Sequence, residues 1–106
     1  MITIKVRKKN GSYEEFISKG HAGYAEAGQD IVCAAVSALI ITTVNSLEKF
    51  TDDKFDVQEN DGFVSIRFRD RLSERGMLLM DSLLLGLTEI AGSYNNRYLT
   101  VKVKEV

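Results

Sequence analysis

The sequence holds a single cysteine and a single histidine among its 106 residues. One cysteine excludes an intramolecular disulfide and a metal site built from several thiolates. The cysteine, the histidine and one nearby aspartate fall short of the four ligands that a structural zinc site uses, so we expect no metal and no other cofactor. A lone cysteine is then either a small buried hydrophobe or a reactive thiol.

The chain also lacks a charge imbalance and long uninterrupted apolar runs. Its 14 basic and 15 acidic residues give a net charge of −1, which provides no global attraction to nucleic acid or anionic lipid. No run reaches the roughly 18 apolar residues of a spanning helix, and residues 2–9 alternate in polarity where a signal peptide has an apolar centre. We therefore expect a cytoplasmic protein that binds neither membrane nor nucleic acid directly.

Proline is absent as well, which agrees with regular secondary structure but decides nothing about it. Alternation with a period of two predicts strands, and longer apolar segments predict helices. The Asn10-Gly11 and Asp61-Gly62 pairs predict hairpin turns. The predicted strands cover residues 2–7, 13–18, 55–59, 63–68 and 98–103, and the predicted helices cover about 30–50 and 73–94.

The resulting order, ββαββαβ, predicts one domain over residues 1–106. We expect a two-layer α+β fold, in which two long helices cover a mostly antiparallel sheet. The first helix is apolar on nearly every side, so it lies at the centre of the fold or at a subunit interface. Gly76 and Gly86, inside the second helix, predict a close approach of another element.

The histidine and the cysteine, His21 and Cys33, are joined by a glycine-rich loop. Asp30 is a favourable helix N-cap, which puts Cys33 in the first helical turn, where unpaired N–H groups favour a thiolate and an oxyanion. If the second strand ends near the start of this helix, His21 reaches the sulfur as a general base and later as an acid. These generic features alone leave two alternatives open, a catalytic pair and two unrelated structural residues.

The segments Gly20–Tyr24 and Gly28–Ser37 resemble the signature of the ribosomal-processing cysteine protease family, Prp. Residues 42–48 and 83–91 continue the similarity, and length and element order agree, so the resemblance covers essentially the whole chain. The chain departs from the family at residues 92–97. The family has an acidic stretch and a Tyr-Pro turn there, before a shorter last strand.

The resemblance implies a homodimeric cytoplasmic cysteine endopeptidase. Family members remove a short amino-terminal extension from the large-subunit ribosomal protein numbered twenty-seven. They cut after a pair of aromatic residues, and ribosome assembly depends on this step. The resemblance makes Cys33 the nucleophile and His21 the general base and proton donor, with Asp30 and Ser37 in supporting positions. Physically, Asp30 either orients His21 or only caps the helix, and Ser37 either hydrogen-bonds near the site or bonds back to the helix.

The loop of residues 22–32 is interpreted as a lid that closes over an extended peptide, and Gly20, Gly23, Tyr24 and Gly28 are its substrate-loop residues. Gly23 and Gly28 give the loop backbone freedom, and we expect Tyr24 and the alanines to contact the aromatic side chains of the substrate. An ordinary crossover loop is the alternative. A second function also stays open, a non-catalytic ribosome-associated binding protein with the same fold. It is suggested by the basic residues 7–9 together with Lys102 and Lys104, if these share a face. A third is a dimeric structural protein with a redox-sensitive thiol.

Overall fold

Five strands and two long helices make up the structure, a computed structural model that describes all 106 residues. The strands are β1 (Ile2–Lys9), β2 (Ser12–Lys19), β3 (Phe55–Asn60), β4 (Phe63–Phe68) and β5 (Leu99–Glu105). The helices are α1 (Ile31–Phe50) and α2 (Glu74–Ser93). The predicted element order and the α+β class are confirmed, and the predicted bounds are correct to within a few residues.

The strands form one sheet in the order β3-β4-β2-β1-β5. Three of the four neighbouring pairs are antiparallel, and β1 with β5 is parallel. These directions make β4 and β5 parallel to each other, and parallel strands need a long crossover connection. The helix α2 supplies that crossover, so the last strand is added beside the first.

The core lies between one face of the sheet and one stripe on each helix. Every second residue of β1 faces it, and Ile2, Ile4 and Val6 are buried. The buried residues of α1 follow at intervals of three and four, as expected of a helix that packs along one side: Val32, Val36, Ile40, Thr43 and Leu47. Ile31 and Ile41 are 57% and 55% exposed, so the prediction of a central position for α1 is wrong, and the interface alternative remains.

Glycines in α2 allow two close approaches, as predicted. A Cβ on Gly86 would lie 2.9 Å from Leu39 Cδ1 of α1, so the two helices pack closely at this point. A Cβ on Gly76 would collide with the Asp53 carboxylate. That carboxylate accepts hydrogen bonds from the backbone N–H and hydroxyl of Ser73, at 3.0 and 2.8 Å, and so fixes the start of α2.

Length and composition alone would also allow either helix to cross a membrane. Each is 20 residues long, with mean hydropathy of 1.8 in α1 and 1.2 in α2 over an 18-residue window. Apolar helices in the core of a folded domain reach the same length and mean hydropathy. In this structure each helix packs one stripe of residues against the sheet.

The segment that departs from the family ends α2 without a proline. The Asn96 N–H donates to the Ala91 carbonyl at 2.8 Å, and the Asn95 N–H donates to the Gly92 carbonyl at 3.2 Å. These two bonds form a Schellman motif, and Asn95 and Asn96 have φ angles of 55° and 58°. Asparagine tolerates this left-handed conformation, so the pair ends the helix and turns the chain into β5.

Candidate active site

Cys33 is the third residue of α1, and its side chain is half-buried at the start of the helix. Its Sγ atom accepts a hydrogen bond from the Ala22 N–H at 3.2 Å. The residue that follows His21 in the chain is therefore in contact with the sulfur. The contact brings the start of α1 next to the residues that follow β2.

His21 lies just beyond β2, and its imidazole faces the turn between β3 and β4. The Nε2 atom lies 3.8 Å from the Asp61 carboxylate, and 64% of the side chain is exposed. This position follows from the strand order, because β4 pairs directly with β2 and carries the turn to the end of that strand. The Gly20 N–H secures the arrangement by donating to the Gly62 carbonyl at 2.8 Å.

Asp30 acts as the N-cap of α1. One carboxylate oxygen accepts from the backbone N–H groups of Val32 and Cys33, at 3.0 and 2.9 Å. The other accepts from those of Tyr24 and Ala25, at 3.0 and 3.4 Å. Both oxygens are thus occupied by backbone donors, so of the two alternatives for Asp30 the structure favours the cap. The carboxylate also closes the loop onto the start of the helix.

Replacing Asp30 by alanine is expected to lower the melting temperature by roughly 5 °C, because the helix loses its cap and the loop loses its anchor. Asparagine also caps helices well, so Asp30→Asn should lose less. Thermal unfolding followed by circular dichroism measures both. Equal losses in the two variants would contradict a capping role.

The charge of Asp30 makes the stability contributed by this cap depend on pH. The hydrogen bonds that the carboxylate accepts from backbone N–H groups hold the pKa of Asp30 below its usual value of 3.8, and the bond from Cys33 has the largest effect. The unfolded chain therefore takes up this proton first as the pH falls. The stabilisation is complete above about pH 5 and is lost as the pH falls through the lowered folded-state pKa. Between about pH 4 and pH 2, the wild type should lose stability more steeply than Asp30→Asn.

Several backbone N–H groups in the first turn of α1 are already paired in this structure, and the oxyanion site predicted there stays a prediction. The Val32 and Cys33 N–H groups donate to the Asp30 carboxylate, and the Ala34 N–H donates to the Asp30 carbonyl at 3.0 Å. An acidic cap satisfies the donors that a helix terminus otherwise leaves free.

Ser37 lies one helical turn after Cys33 and is exposed. It lines the same cavities as Cys33 and His21. Its hydroxyl makes no hydrogen bond back to the helix, whereas the Thr43 hydroxyl does so to the Leu39 carbonyl at 2.7 Å. The back-bonding alternative for Ser37 is therefore wrong here, and its hydroxyl is free to bind a ligand.

Two cavities meet at these residues. The first, of about 540 Å³, lies between α1 and the β3–β4 hairpin. The second, of about 670 Å³, lies under the loop, and its lining includes Gly23, Gly28 and Asp30. His21, Cys33, Ser37 and Asp61 line both cavities. The apolar wall of the first comes from both sides: Val36, Ile40, Ile41, Val44, Val57, Phe63 and Val64.

Tyr24 lies away from these cavities. Its ring packs edge-on against Tyr94 and Tyr98, with centroids 5.6 and 5.2 Å away, and those two rings are 5.6 Å apart. The three rings attach the loop to the end of α2 and the start of β5. Contact between Tyr24 and a substrate stays a prediction, as does a substrate role for Gly20, Gly23 and Gly28.

Sequence reasoning missed Asp61 and Gly62 as site residues. The Asp-Gly pair was interpreted only as a hairpin turn, which it is. Its position beside His21 depends on the pairing of β4 with β2, and no local pattern in the sequence carries that information. An exposed histidine and a helix-start thiol that line the same two cavities are features compatible with a cysteine protease.

The comparisons with known proteins agree. Residues 1–99 match the family model of the cysteine protease Prp. The curated ribosomal-processing cysteine proteases Prp of Staphylococcus aureus and Bacillus subtilis are 33% identical over 98 residues and 30% identical over 103 residues. The matches cover 90% and 91% of this chain, and 92% of each relative.

A solved structure agrees as closely. The crystal structure of the essential S. aureus Prp with a covalently linked product peptide matches with a TM-score of 0.93 at 31% identity. The match covers 98% of this chain and 100% of that one. The chain therefore belongs to the Prp family of ribosomal-processing cysteine proteases.

Proposed function

We propose that this protein is an endopeptidase that removes a short amino-terminal extension from a large-subunit ribosomal protein, the one numbered twenty-seven. It cuts after aromatic residues, and ribosome assembly depends on the cut. The observation that carries the proposal is the hydrogen bond from the Ala22 N–H to Cys33 Sγ. It brings the residue next to His21 against the sulfur, at the meeting point of two cavities.

The proposed reaction divides between the two residues. His21 takes the thiol proton of Cys33, and the sulfur attacks the carbonyl carbon of the scissile peptide bond. The tetrahedral intermediate collapses to a thioester as the imidazolium gives its proton to the leaving amine. A water molecule, deprotonated by His21, then hydrolyses the thioester, releasing the new carboxyl terminus and restoring the thiol.

The first cavity suits the aromatic side chains of such a substrate. Nine of its 18 lining residues are apolar, and pockets that bind small ligands or side chains are mostly apolar with a few polar groups. The S. aureus Prp has been crystallised with a substrate peptide, and that structure matches the present chain with a TM-score of 0.86. We infer that the aromatic pair occupies the space between α1 and the β3–β4 hairpin.

The assembly and location of the protein are part of the proposal. Apolar side chains outside the two cavities stay exposed on α2, with Leu78 at 68% and Leu85 at 62%. An exposed apolar helix face favours burial against a second copy, in agreement with the homodimer expected from the family resemblance. We propose a cytoplasmic homodimer, because the substrate is a ribosomal protein.

Cleavage of synthetic peptides tests the specificity. A peptide that carries two adjacent aromatic residues from the extension of the host's ribosomal protein should be cut after them, and mass spectrometry identifies the bond. A matched peptide with both aromatics replaced by alanine should be cut roughly 100-fold more slowly, as each lost apolar contact costs about tenfold. Equal cutting of the two peptides would contradict a groove for aromatic side chains.

A non-catalytic binding function has one supporting observation. The register of β1 with β5 pairs Lys5 with Lys102 and Arg7 with Lys104, so four basic residues share the exposed sheet face. Lys8 is not part of this face, since its ammonium lies 4.9 Å over the Tyr13 ring. Salt-dependent binding of ribosomal RNA by a protein that cuts no peptide would favour this second function.

A further inference from the structure

The turn between β3 and β4 contacts His21 and its neighbour in three ways. The Gly62 carbonyl accepts a hydrogen bond from the Gly20 N–H at 2.8 Å, which fixes the backbone before His21. The imidazole lies against Gly62, where an added Cβ would be 2.8 Å from Nε2. The Asp61 Oδ1 atom lies 3.8 Å from the same nitrogen. One turn therefore fixes both the backbone and the ring.

Gly62 provides the surface on which the ring rests. Its φ angle of +67° is a conformation that favours glycine, and hairpin turns often need one such residue. The contact with the imidazole is a second, independent reason for glycine, because any side chain would displace the ring. Glycine at position 62 is therefore required both by the backbone conformation of the turn and by the contact with His21.

We propose that Asp61 is a positioning residue for His21. Its carboxylate attracts the Nε2 edge of the ring, so that Nδ1 is the nitrogen left for proton exchange with the Cys33 thiol, which lines the same cavities. It also stabilises the imidazolium that forms when the thiol gives up its proton. A separation of 3.8 Å is too long for a hydrogen bond, so the carboxylate acts on the ring through its electrostatic field. The inference rests on the proposed function, since it requires proton exchange between His21 and Cys33.

The other carboxylates near the site do not take this position. Both oxygens of Asp30 accept backbone N–H groups at the start of α1. Glu59 lines the first cavity but forms no ion pair with His21. The Asp61 side chain is 98% exposed, so water and salt weaken its effect. We expect a contribution of roughly tenfold in rate, far below that of a buried triad carboxylate.

Steady-state cleavage of the aromatic-pair peptide tests the proposal. At low salt, Asp61→Asn and Asp61→Ala should lower kcat roughly tenfold without changing KM, because the charge acts on His21 and not on the substrate. Asp61→Glu should keep most of the rate. Asp61→Asn leaves the chain foldable, since Asn-Gly is among the strongest two-residue hairpin turns. Asp70→Asn removes an exposed charge beyond β4, away from the site, and should match the wild type.

The dependence of kcat on ionic strength distinguishes an electrostatic role of Asp61 from a purely structural one, which salt would not change. Raising the salt to about 1 M should bring the wild-type kcat towards that of Asp61→Asn, whose own kcat should change little. An Asp61→Asn kcat equal to the wild type at low salt overturns the inference while the proposed function stands. A change in KM alone also overturns it. Absence of cleavage by the wild type overturns the proposed function itself.

Discussion

Replacing Cys33 by alanine should abolish peptide cleavage, with a loss of roughly 10⁴-fold or more, because no other group in the chain can form the thioester. Cys33 is the only cysteine in the sequence. His21→Ala should cause a loss of similar size, since the two residues act as a unit and neither works without the other. Cleavage of the aromatic-pair peptide, followed by mass spectrometry, measures both variants.

The fold should survive these changes. Cys33 is half-buried, and its sulfur makes a single hydrogen bond, to the Ala22 N–H. The loss of one such bond and a small side chain costs about 1 kcal/mol, a small part of the stability of a domain. Thermal unfolding of the variants should therefore resemble that of the wild type. Full cleavage by Cys33→Ala would eliminate the proposed mechanism.

Alkylation gives a second measurement with the natural protein. Iodoacetamide can modify only one thiol in this chain, so a single added group identifies Cys33 without further mapping. Loss of cleavage should follow the fraction modified in direct proportion. The matched control is Ala34→Ser, an exposed neighbour in the same turn, which should keep the alkylation rate.

Replacing Gly20 by alanine should have the largest effect on stability of any glycine substitution at the site. Gly20 has a φ angle of +99°, and an added Cβ would lie 2.5 Å from the Met1 carbonyl oxygen. The backbone strain costs about 1–3 kcal/mol, and a collision with backbone atoms adds about as much. We expect a loss of roughly 2–5 kcal/mol in the free energy of unfolding, out of a typical 5–15 kcal/mol.

A second glycine substitution separates the cost of backbone strain from the cost of the steric collision in Gly20→Ala. Gly11, in the β1–β2 turn, has a φ angle of +77° and open space where its Cβ would lie. Gly11→Ala should therefore cost only the strain, about 1–2 kcal/mol. Denaturant unfolding measures both variants. If Gly20→Ala proves no less stable than Gly11→Ala, the end of β2 can move, and the fixed position of His21 is not supported.

Gly20→Ala should also reduce activity at temperatures where it is folded. The Gly20 N–H donates to the Gly62 carbonyl, and the next residue is His21. A shift of the backbone here displaces the imidazole from the turn against which it packs. Displacements of about 1 Å in reacting groups can cost roughly 100-fold in rate. Gly11→Ala, far along the sheet, should keep its activity.

Much of the fold could be predicted from local patterns. Alternation in β1 and β4, turn pairs at residues 10–11 and 61–62, and long apolar segments gave the seven elements in their observed order. The cap at Asp30 was equally accessible, because capping depends on a few neighbouring backbone groups. Local geometry in a helix or hairpin is determined by residues close in sequence, which is why these predictions agree with the structure.

The sequence also identified the reactive groups of the site, but not how they are arranged in space. One cysteine at a helix start, one histidine before a glycine-rich loop and the surrounding motif limited the reaction to thiol chemistry. The same reasoning assigned the first N–H groups of α1 to an oxyanion, whereas those of Val32 and Cys33 donate to the Asp30 carboxylate in the structure. Composition identifies donors and acceptors, but only three-dimensional geometry shows how they are paired.

The tertiary structure alone decided which residues surround His21. Asp61 and Gly62 lie 40 residues further along the chain, and they reach the imidazole because β4 pairs with β2. It also decided which stripe of the apolar helix α1 is buried and which stays exposed. Strand pairing depends on contacts between segments far apart in sequence, which bury their apolar faces together. Local periodicity indicates that a segment has such a face, but not which other segment will cover it.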